Sequence, residues 1–274
     1  NMHSWNCFIL IIFSLPDKLM LTNYLETLFL AIIQGIFEFI PVSSSAHLLI
    51  VSNLAEFKIG SLEIDVSLHL GSLFAIIVYF RNDLKQILKK RELLSLIILG
   101  SLPLIIVGYI LNYTGIIHLL RNLEIIAWTT LIFGILLYIC DQFEIKKNFE
   151  NDMSLKYIII IGLMQTLALI PGVSRSGIVI TSGRLLKFNR FDSSKISFLL
   201  SLPALAGASF LSISDLLIEG YEFNNLIIFS ILMSYIVSYF TIKYFLIFVK
   251  KFTLKIFVYY RIFLAFILFI VVYT

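Results

Sequence analysis

The segment Gln34-Gly-Ile-Phe-Glu38-Phe-Ile-Pro41-Val-Ser-Ser-Ser45 interrupts a long apolar stretch that runs from residue 24 to residue 53. Proline ends a helix because it lacks a backbone donor and because its ring clashes with the preceding turn. At membrane depth, such a break is tolerated only where the backbone lines a cavity or is buried in protein. We therefore interpret residues 24–53 as a re-entrant pair of half-helices.

A second segment repeats this pattern. The stretch Gln165-Thr-Leu-Ala-Leu-Ile-Pro171-Gly-Val-Ser-Arg175-Ser176 can be aligned with the first segment, and it interrupts the apolar residues 157–182. Each interrupted stretch is followed by three apolar runs, and an odd number of crossings inverts the second copy relative to the first. In inverted repeats, the broken helices of the two halves meet and form the binding site. The pattern predicts a site at residues 34–47 and 171–181.

Composition places the chain in a membrane. Of its 274 residues, 59% are hydrophobic and 14% are charged, whereas soluble domains have roughly 45–50% and about 25%. A soluble globular protein is excluded, and so is disorder, which requires low hydrophobicity. The only cysteines, Cys7 and Cys140, are too far apart in sequence to indicate a disulfide-stapled secreted domain.

The apolar runs predict an all-α integral membrane fold, because a spanning helix needs about 20 mostly apolar residues. We expect an inverted-topology repeat with six transmembrane helices plus two re-entrant helix pairs. Residues 20–274 would form a single membrane domain, with repeat one at about 24–140 and repeat two at about 157–273. Residues 1–19 would be an N-terminal extension of open role, since residues 8–15 only partly resemble a signal-peptide core. The six predicted spans are 66–80, 93–112, 123–140, 196–214, 226–249 and 256–273.

Basic residues alternate between loops. One set of loops holds sixteen lysines and arginines, and the intervening set holds two. Because cytoplasmic loops carry an excess of Lys and Arg, we place the basic set in the cytoplasm and both termini outside. The net charge of +4 comes from these loops, so no nucleic-acid partner is predicted. The basic loops are 81–91, 146–156, 184–195 and 250–261, and the others are 54–65, 112–122 and 215–225.

Gln34 and Glu38 are candidate metal ligands. They are four residues apart, so on a helix they share one face. A carboxylate and an amide oxygen suit a hard divalent cation such as Mg²⁺ or Ca²⁺, which often shares its ligands with substrate phosphates. The alternative is that Glu38 neutralises a basic partner and that Gln34 only bonds a neighbouring helix.

Ser44 and His47 are candidate catalytic residues. If a helix begins after Pro41, its free N–H groups and positive dipole end form an anion site. The spacing then places a hydroxyl nucleophile beside a general base or acid. The alternative is that the serine caps the helix and that the histidine is a hydrogen-bonded buried imidazole.

Arg175 is a candidate phosphate ligand. A charge at the centre of a membrane helix costs about 2.5–3.5 kcal/mol, and a guanidinium matches phosphate oxygens with two parallel hydrogen bonds. Gly172 would let the backbone approach a ligand closely. The alternative is a structural ion pair with Glu38, which is compatible with phosphate binding because the pair can form when substrate is absent.

Other polar residues are weaker candidates. The topology places Glu63, Asp65, His69 and His118 in or near outward loops, where we expect them to be solvated. The group Tyr259-Tyr260-Arg261 is typical of an anchor at the membrane interface.

The two motifs resemble those of a known family. Residues 34–47 resemble the first motif of the bacterial undecaprenyl-diphosphate phosphatases of the bacitracin-resistance type. The stretch Pro171-Gly-Val-Ser-Arg-Ser-Gly-Ile-Val-Ile-Thr181 resembles their Pro-Gly-x-Ser-Arg-Ser-x-x-Thr motif. The likeness runs from about residue 20 to the C-terminus, and it includes Leu70-Gly71-Ser72 and Ser197-Phe-Leu-Leu-Ser201.

The resemblance implies an integral enzyme of the bacterial cytoplasmic membrane whose site opens to the outer, periplasmic side. Such an enzyme hydrolyses undecaprenyl diphosphate to undecaprenyl phosphate with a divalent cation. It thereby recycles the lipid carrier of cell-wall synthesis and confers bacitracin resistance. The implied partners are a polyprenyl diphosphate substrate and membrane lipids.

The resemblance also implies roles for the candidate residues. Gln34 and Glu38 would be the metal pair, Ser44 and His47 the catalytic pair, and Arg175 the phosphate ligand. The first metal position is often Glu in this family, so Gln34 removes a charge there. The remaining substrate-binding candidates are Ser43, Ser45, Gly172, Ser174, Ser176 and Thr181.

Two alternatives stay open at this point. Inverted repeats with broken helices are also transporter architecture, so the rival function is a transporter or flippase of a phosphate-bearing polyprenyl lipid. If the chain is an enzyme, either Ser44 attacks and forms a phosphoserine, or a metal-activated water attacks while Ser44 only donates a hydrogen bond.

Overall fold

The computed structural model describes residues 15–44, 47, 62–116, 120, 122–218 and 224–273. Regular structure in these ranges is helical, apart from one isolated β-bridge between Lys147 and Phe188. The helices are α1 (Leu15–Phe37), α2 (Leu62–Tyr79), α3 (Arg81–Lys89), α4 (Arg91–Tyr113), α5 (Leu123–Asp141), α6 (Phe149–Asp152), α7 (Leu155–Gln165), α8 (Arg175–Leu185), α9 (Arg190–Ile218), α10 (Asn225–Lys251) and α11 (Lys255–Tyr273), with a 3-10 turn at Thr166–Leu169.

The described helices fit a multi-pass membrane protein. Four of them, α4, α5, α10 and α11, are long and apolar enough to cross a membrane. The pair α2 and α3 passes the same test together but is bent by 73°, so it would make a fifth span if it counts as one. The prediction of an all-α membrane fold is confirmed to this extent, and each of the six predicted runs lies largely or wholly within one helix.

Small residues let the helices approach one another closely, as is common in membranes. A Cβ atom on Gly35 of α1 would lie 2.8 Å from Val237 of α10. The hydroxyl of Ser72 on α2 lies 3.0 Å from Ser238 Oγ and 3.3 Å from Ser234 Oγ, both on α10. Helix α10 therefore packs closely against α1, which carries the start of the first motif, and against α2.

Both predicted helix breaks are present. Helix α1 ends at Phe37, and residues 38–43, the first turn, follow it. Helix α7 narrows into its 3-10 turn, and residues 170–174, the second turn, lead into α8. After the first turn, Ser44 and His47 have helical conformation. The predicted residues Ser45 and His118 lie outside the described residues.

An ionic cluster fixes the other end of α8. The Asp141 carboxylate at the end of α5 is buried, and its oxygens accept from Arg190 Nε at 2.6 Å and Arg190 Nη2 at 3.1 Å. The same carboxylate accepts from the Leu254 backbone N–H at 3.1 Å, and Arg184 Nε of α8 lies 3.4 Å from it. The cluster joins α5, α8, α9 and the start of α11.

Candidate functional site

The two turns are in direct contact, as the inverted-repeat pattern predicts for its binding site. The Ser176 hydroxyl at the start of α8 donates to the carbonyl of Ile40 in the first turn at 2.8 Å. Arg175 Nη2 lies 2.5 Å from Glu38 Oε1. One hydrogen bond and one ion pair therefore join the two motifs, although they are more than a hundred residues apart in sequence.

Arg261 of α11 donates hydrogen bonds to backbone carbonyls in both turns. Its guanidinium is 1% exposed. Nη1 donates to the carbonyls of Val173 at 3.0 Å and Pro41 at 3.4 Å, Nη2 donates to Gly172 O at 3.0 Å, and Nε donates to Thr130 O at 3.2 Å. Among the described residues no carboxylate pairs with it. A buried cation on backbone carbonyls stays solvated by their dipoles, so this one side chain links both turns to α11.

The prediction of an interfacial anchor at residues 259–261 is therefore wrong for Arg261. Tyr259 is 62% exposed and agrees with an anchor, and Tyr260 is 38% exposed although its hydroxyl bonds His47. The reason is helical geometry, because successive residues point about 100° apart, so Tyr259 and Arg261 lie on nearly opposite sides of α11.

The Glu38–Arg175 pair is mostly buried, with side-chain exposures of 8% and 15%. Its short contact corresponds to a charge-assisted hydrogen bond. The second nitrogen of the Arg175 fork, Nη1, is buried and has no hydrogen-bond partner among the described residues. A buried donor without a partner costs free energy, so this nitrogen is placed to bind an acceptor such as a phosphate oxygen.

Gln34 connects Glu38 to another helix. Its Nε2 atom lies 3.0 Å from Glu38 Oε2 and 2.9 Å from His69 Nδ1 on α2. The expectation that His69 is solvated in an outward loop is wrong, because α2 begins at Leu62 and carries His69 on its inner side. Glu63, predicted to be solvated as well, is buried. The interhelical bond considered as an alternative for Gln34 is present.

His47 is held by three groups. Its Nδ1 atom lies 2.5 Å from the Ser43 carbonyl oxygen, and its ring stacks on Phe37 with centroids 3.7 Å apart. Because a carbonyl only accepts, Nδ1 carries the proton and Nε2 of the neutral ring is the basic nitrogen. Nε2 lies 2.5 Å from the Tyr260 hydroxyl. In the described structure no hydrogen bond joins His47 to Ser44, which is partly exposed.

The second turn has an unusual backbone. Gly172 has φ 90°, and Ser174 has φ 70° and caps α8 by accepting from Gly177 N at 3.2 Å. A Cβ atom on Gly172 would lie 2.7 Å from Ile126 O and would collide with Thr129 Oγ1 of α5. Glycine is thus required here by conformation and by the close approach of α5, and its predicted contact with a ligand stays a prediction.

The other predicted binding residues are close to the turns. Ser43 and Ser176 are 1% exposed, and the Ser174 and Ser176 hydroxyls lie 3.2 Å apart. Thr181 is one turn further along α8 and donates to Gly177 O at 2.7 Å. The hydroxyls of Ser174, Ser176 and Thr181 therefore already have protein partners.

The donor atoms can be compared with the needs of a divalent cation. In the described part of the chain, His, Cys, Asp and Glu form no group of three or more that could hold a metal. Glu38 Oε2 and the Gln34 amide nevertheless converge, and rotating that amide by half a turn brings its oxygen to the same place. One carboxylate and one amide oxygen fit a cation that takes its remaining ligands from substrate phosphates and water.

Sequence reasoning missed His69, Tyr260 and Arg261. Each contacts its partner over a long distance in sequence, with separations of 35, 213 and 220 residues. A signal for Arg261 does exist, because it lies in an apolar run and an intramembrane charge marks a functional site by default. Because Arg261 lies near Lys250, Lys251 and Lys255, it is counted with the basic residues of a loop instead of as a charge inside the membrane.

Comparison with known proteins gives one family. Residues 27–267 match the family model described as bacitracin resistance protein BacA. A protein of Pelagibacter ubique named undecaprenyl-diphosphatase is 54% identical over 93% of this chain and 100% of its own length. Proteins of the same name from Erythrobacter litoralis and Pelobacter propionicus are 34% and 37% identical over 88% and 87% of this chain, and over 96% and 93% of their own lengths. The chain therefore belongs to the BacA family of bacitracin resistance proteins.

Proposed function

We propose that this protein dephosphorylates undecaprenyl diphosphate, releasing inorganic phosphate and undecaprenyl phosphate, and so contributes to cell-wall synthesis and bacitracin resistance. Relatives named undecaprenyl-diphosphatase match 93% and 88% of this chain. The observation that carries the proposal is the Glu38–Arg175 pair, which joins the two turns and leaves Arg175 Nη1 buried without a partner.

In this proposal Arg175 binds the diphosphate. Its free Nη1 donates to a phosphate oxygen, and Nη2 exchanges the Glu38 carboxylate for a second oxygen, so the fork binds with two parallel bonds. The N-terminus of α8 adds backbone N–H groups and the positive end of its dipole beside Arg175. These donors offset the negative charge that phosphoryl transfer spreads over the equatorial oxygens.

Ser44 is the proposed nucleophile. Its Oγ attacks the terminal phosphorus, the bond to the bridging oxygen breaks, and undecaprenyl phosphate leaves. The hydroxyl proton passes to His47 Nε2, which must first release the Tyr260 hydroxyl. His47 then gives this proton to the departing oxygen of undecaprenyl phosphate and is neutral again. Water next attacks the phosphoserine, His47 takes a proton from this water as general base, and that proton returns to Ser44 Oγ as inorganic phosphate leaves. The Ser43 carbonyl keeps the other nitrogen protonated, so Nε2 is the atom that accepts.

A divalent cation would be held by Glu38 and by the Gln34 amide oxygen, with Mg²⁺ or Ca²⁺ expected from oxygen ligands. When bound, it neutralises charge on the diphosphate and polarises its oxygens as a Lewis acid. Before substrate binds, Glu38 pairs with Arg175. When Arg175 turns to the diphosphate, the Glu38 carboxylate would be available to the metal ion instead.

The finer architecture is also part of the proposal. Six spans and two re-entrant pairs would form an inverted repeat in the cytoplasmic membrane, with the site open to the periplasm. The packing supports this, because α1 packs on α10 as α7 packs on α4, and α2 packs on α10 as α9 packs on α4. Such exchanged partners are expected of two repeats related by a two-fold axis.

Topology can be measured with single cysteines in a chain whose own two cysteines are replaced by serine. A cysteine at the exposed Asn112 should react with an impermeant maleimide on intact spheroplasts, and one at the exposed Gln86 should not. The opposite labelling pattern would invert the topology.

Activity is tested with purified protein in detergent. Phosphate release from a polyprenyl diphosphate of 15 carbons or more is expected, and EDTA should stop it. The rival transporter or flippase needs two compartments, so it predicts no release in detergent. Release that persists after all divalent ions are removed would contradict the metal assignment but not the hydrolase.

A further inference from the structure

His69 occupies a position that its sequence context does not explain. It lies on α2, half-buried, with Nδ1 2.9 Å from Gln34 Nε2. The same nitrogen of Gln34 lies 3.0 Å from Glu38 Oε2. The two protons of one amide group thus point at a carboxylate oxygen and at an imidazole lone pair. Both of these partners are electron-pair donors of the kind that ligate metals.

The amide nitrogen of Gln34 therefore stands where a cation would be attracted. Glu38 Oε1 is taken by Arg175, but Oε2 faces Gln34 and His69. If the Gln34 amide turns over, its oxygen replaces the nitrogen and lies 3.0 Å from Glu38 Oε2 and 2.9 Å from His69 Nδ1, so that one cation can contact both oxygens and the imidazole nitrogen. Amide rotation has little steric cost, because the nitrogen and oxygen are nearly the same size.

We infer that His69 is a third metal ligand in this protein, together with Glu38 and Gln34. An imidazole nitrogen is uncommon for Mg²⁺ and Ca²⁺, which take oxygen, whereas transition-metal divalent ions accept it readily. Adding this nitrogen to the two oxygen ligands, which alone would suit Mg²⁺ or Ca²⁺, shifts the preference from Ca²⁺ towards an ion such as Mn²⁺. Only one of the three ligands is charged, and Arg175 lies beside it, so the loaded site is strongly positive and suited to a diphosphate.

The inference rests on the proposed function only for the need for a cation, so binding is measured without substrate. Mn²⁺ is added to the purified, EDTA-washed protein in detergent. Its affinity is obtained from the electron paramagnetic resonance of free Mn²⁺, and its ligands from electron spin-echo modulation, which detects nitrogen bound directly to the ion. The wild type should bind Mn²⁺ with nitrogen modulation and more tightly than Ca²⁺.

Two variants remove the nitrogen in different ways. His69→Ala deletes the ligand, and His69→Gln keeps a polar side chain of similar size that can supply only an oxygen. Both should lose the nitrogen modulation, and we expect Mn²⁺ affinity to fall at least tenfold in His69→Ala. His47→Ala removes the other histidine of the site and is the matched control, which should keep the modulation.

Three outcomes would overturn the inference. They are absence of Mn²⁺ binding, binding without nitrogen modulation in the wild type, and modulation that survives in both His69 variants. Phosphate release by the wild type is recorded separately, so a failed metal ligand is distinguished from a failed hydrolase. Gln34→Glu sharpens the result, since a second carboxylate at that point should tighten Mn²⁺ binding if residue 34 is a ligand.

Discussion

The first turn and the second turn follow the same Ile-Pro pattern, yet they are built differently. Around the first turn lie the ionisable side chains Glu38 and His47, and no described residue from 38 to 43 has a positive φ. The second turn has positive φ at Gly172 and Ser174 and leads directly into the N-terminus of α8. In the proposed mechanism, the first motif therefore carries proton and metal chemistry, and the second binds the anion.

This difference between the two turns predicts that substitutions near the first turn affect the chemical step. Ser44→Ala removes the proposed nucleophile after the first turn, so turnover should fall on the order of 10³-fold or more. The measurement is phosphate release, with the exposed Ser95→Ala as control. If a tenth or more of the wild-type rate remains, Ser44 only donates a hydrogen bond and attack by water becomes the better explanation.

Arg175→Lys tests the anion-binding role of the second motif. Lysine keeps the charge but loses the planar fork, so kcat/KM should fall about 10²-fold while the protein remains inserted and folded. Arg81→Lys, at an exposed position, provides the matched control. Kinetics close to the wild type would return Arg175 to a purely structural role as the partner of Glu38.

Gly172→Ala tests the backbone of the second turn. The new methyl group meets α5 and the residue has φ 90°, so the variant should lose about 2 kcal/mol of stability. Gly115→Ala has φ 71° but open space around it, and should lose only about 1 kcal/mol. Thermal unfolding in detergent measures both, and equal losses would show that the contact with α5 is unimportant.

Tyr260→Phe tests what the hydrogen bond between Tyr260 and His47 contributes to turnover. The change removes only the hydroxyl that lies 2.5 Å from His47 Nε2, which His47 must release before it accepts the Ser44 proton. One hydrogen bond contributes about 1 kcal/mol, so kcat should rise about fivefold. The effect should vanish in a His47→Ala background, because Tyr260 acts through that ring. Tyr259→Phe, on the exposed side of α11, should change nothing in either background.

The sequence predicts the local parts of this molecule well. Apolar runs locate the helices, and proline followed by small polar residues locates both breaks. The alignment of the two motifs predicts that they meet, and the charges of Glu38 and Arg175 suggest that they pair. All of these inferences use spacing within one segment or the rarity of charge in an apolar environment.

What the sequence does not predict depends on contacts between distant segments. His69 is one of several ionisable residues on α2, and only the packing of α2 beside α1 brings it to Gln34. Arg261 follows three lysines in the sequence, and only the packing of α11 against α5 and the two turns buries it. No periodicity within α2 or α11 contains this information, because register against a neighbour is set by the tertiary fold.

The position of Arg261 has a consequence for biogenesis. Chains are synthesised from the N-terminal end, so both turns exist before the residue that solvates their carbonyls has been made. Until α11 arrives, the carbonyls of Pro41, Gly172 and Val173 lack the donor that they have in the folded protein. The hydrogen bonds that join the two turns to α11 are therefore the last of this site to form.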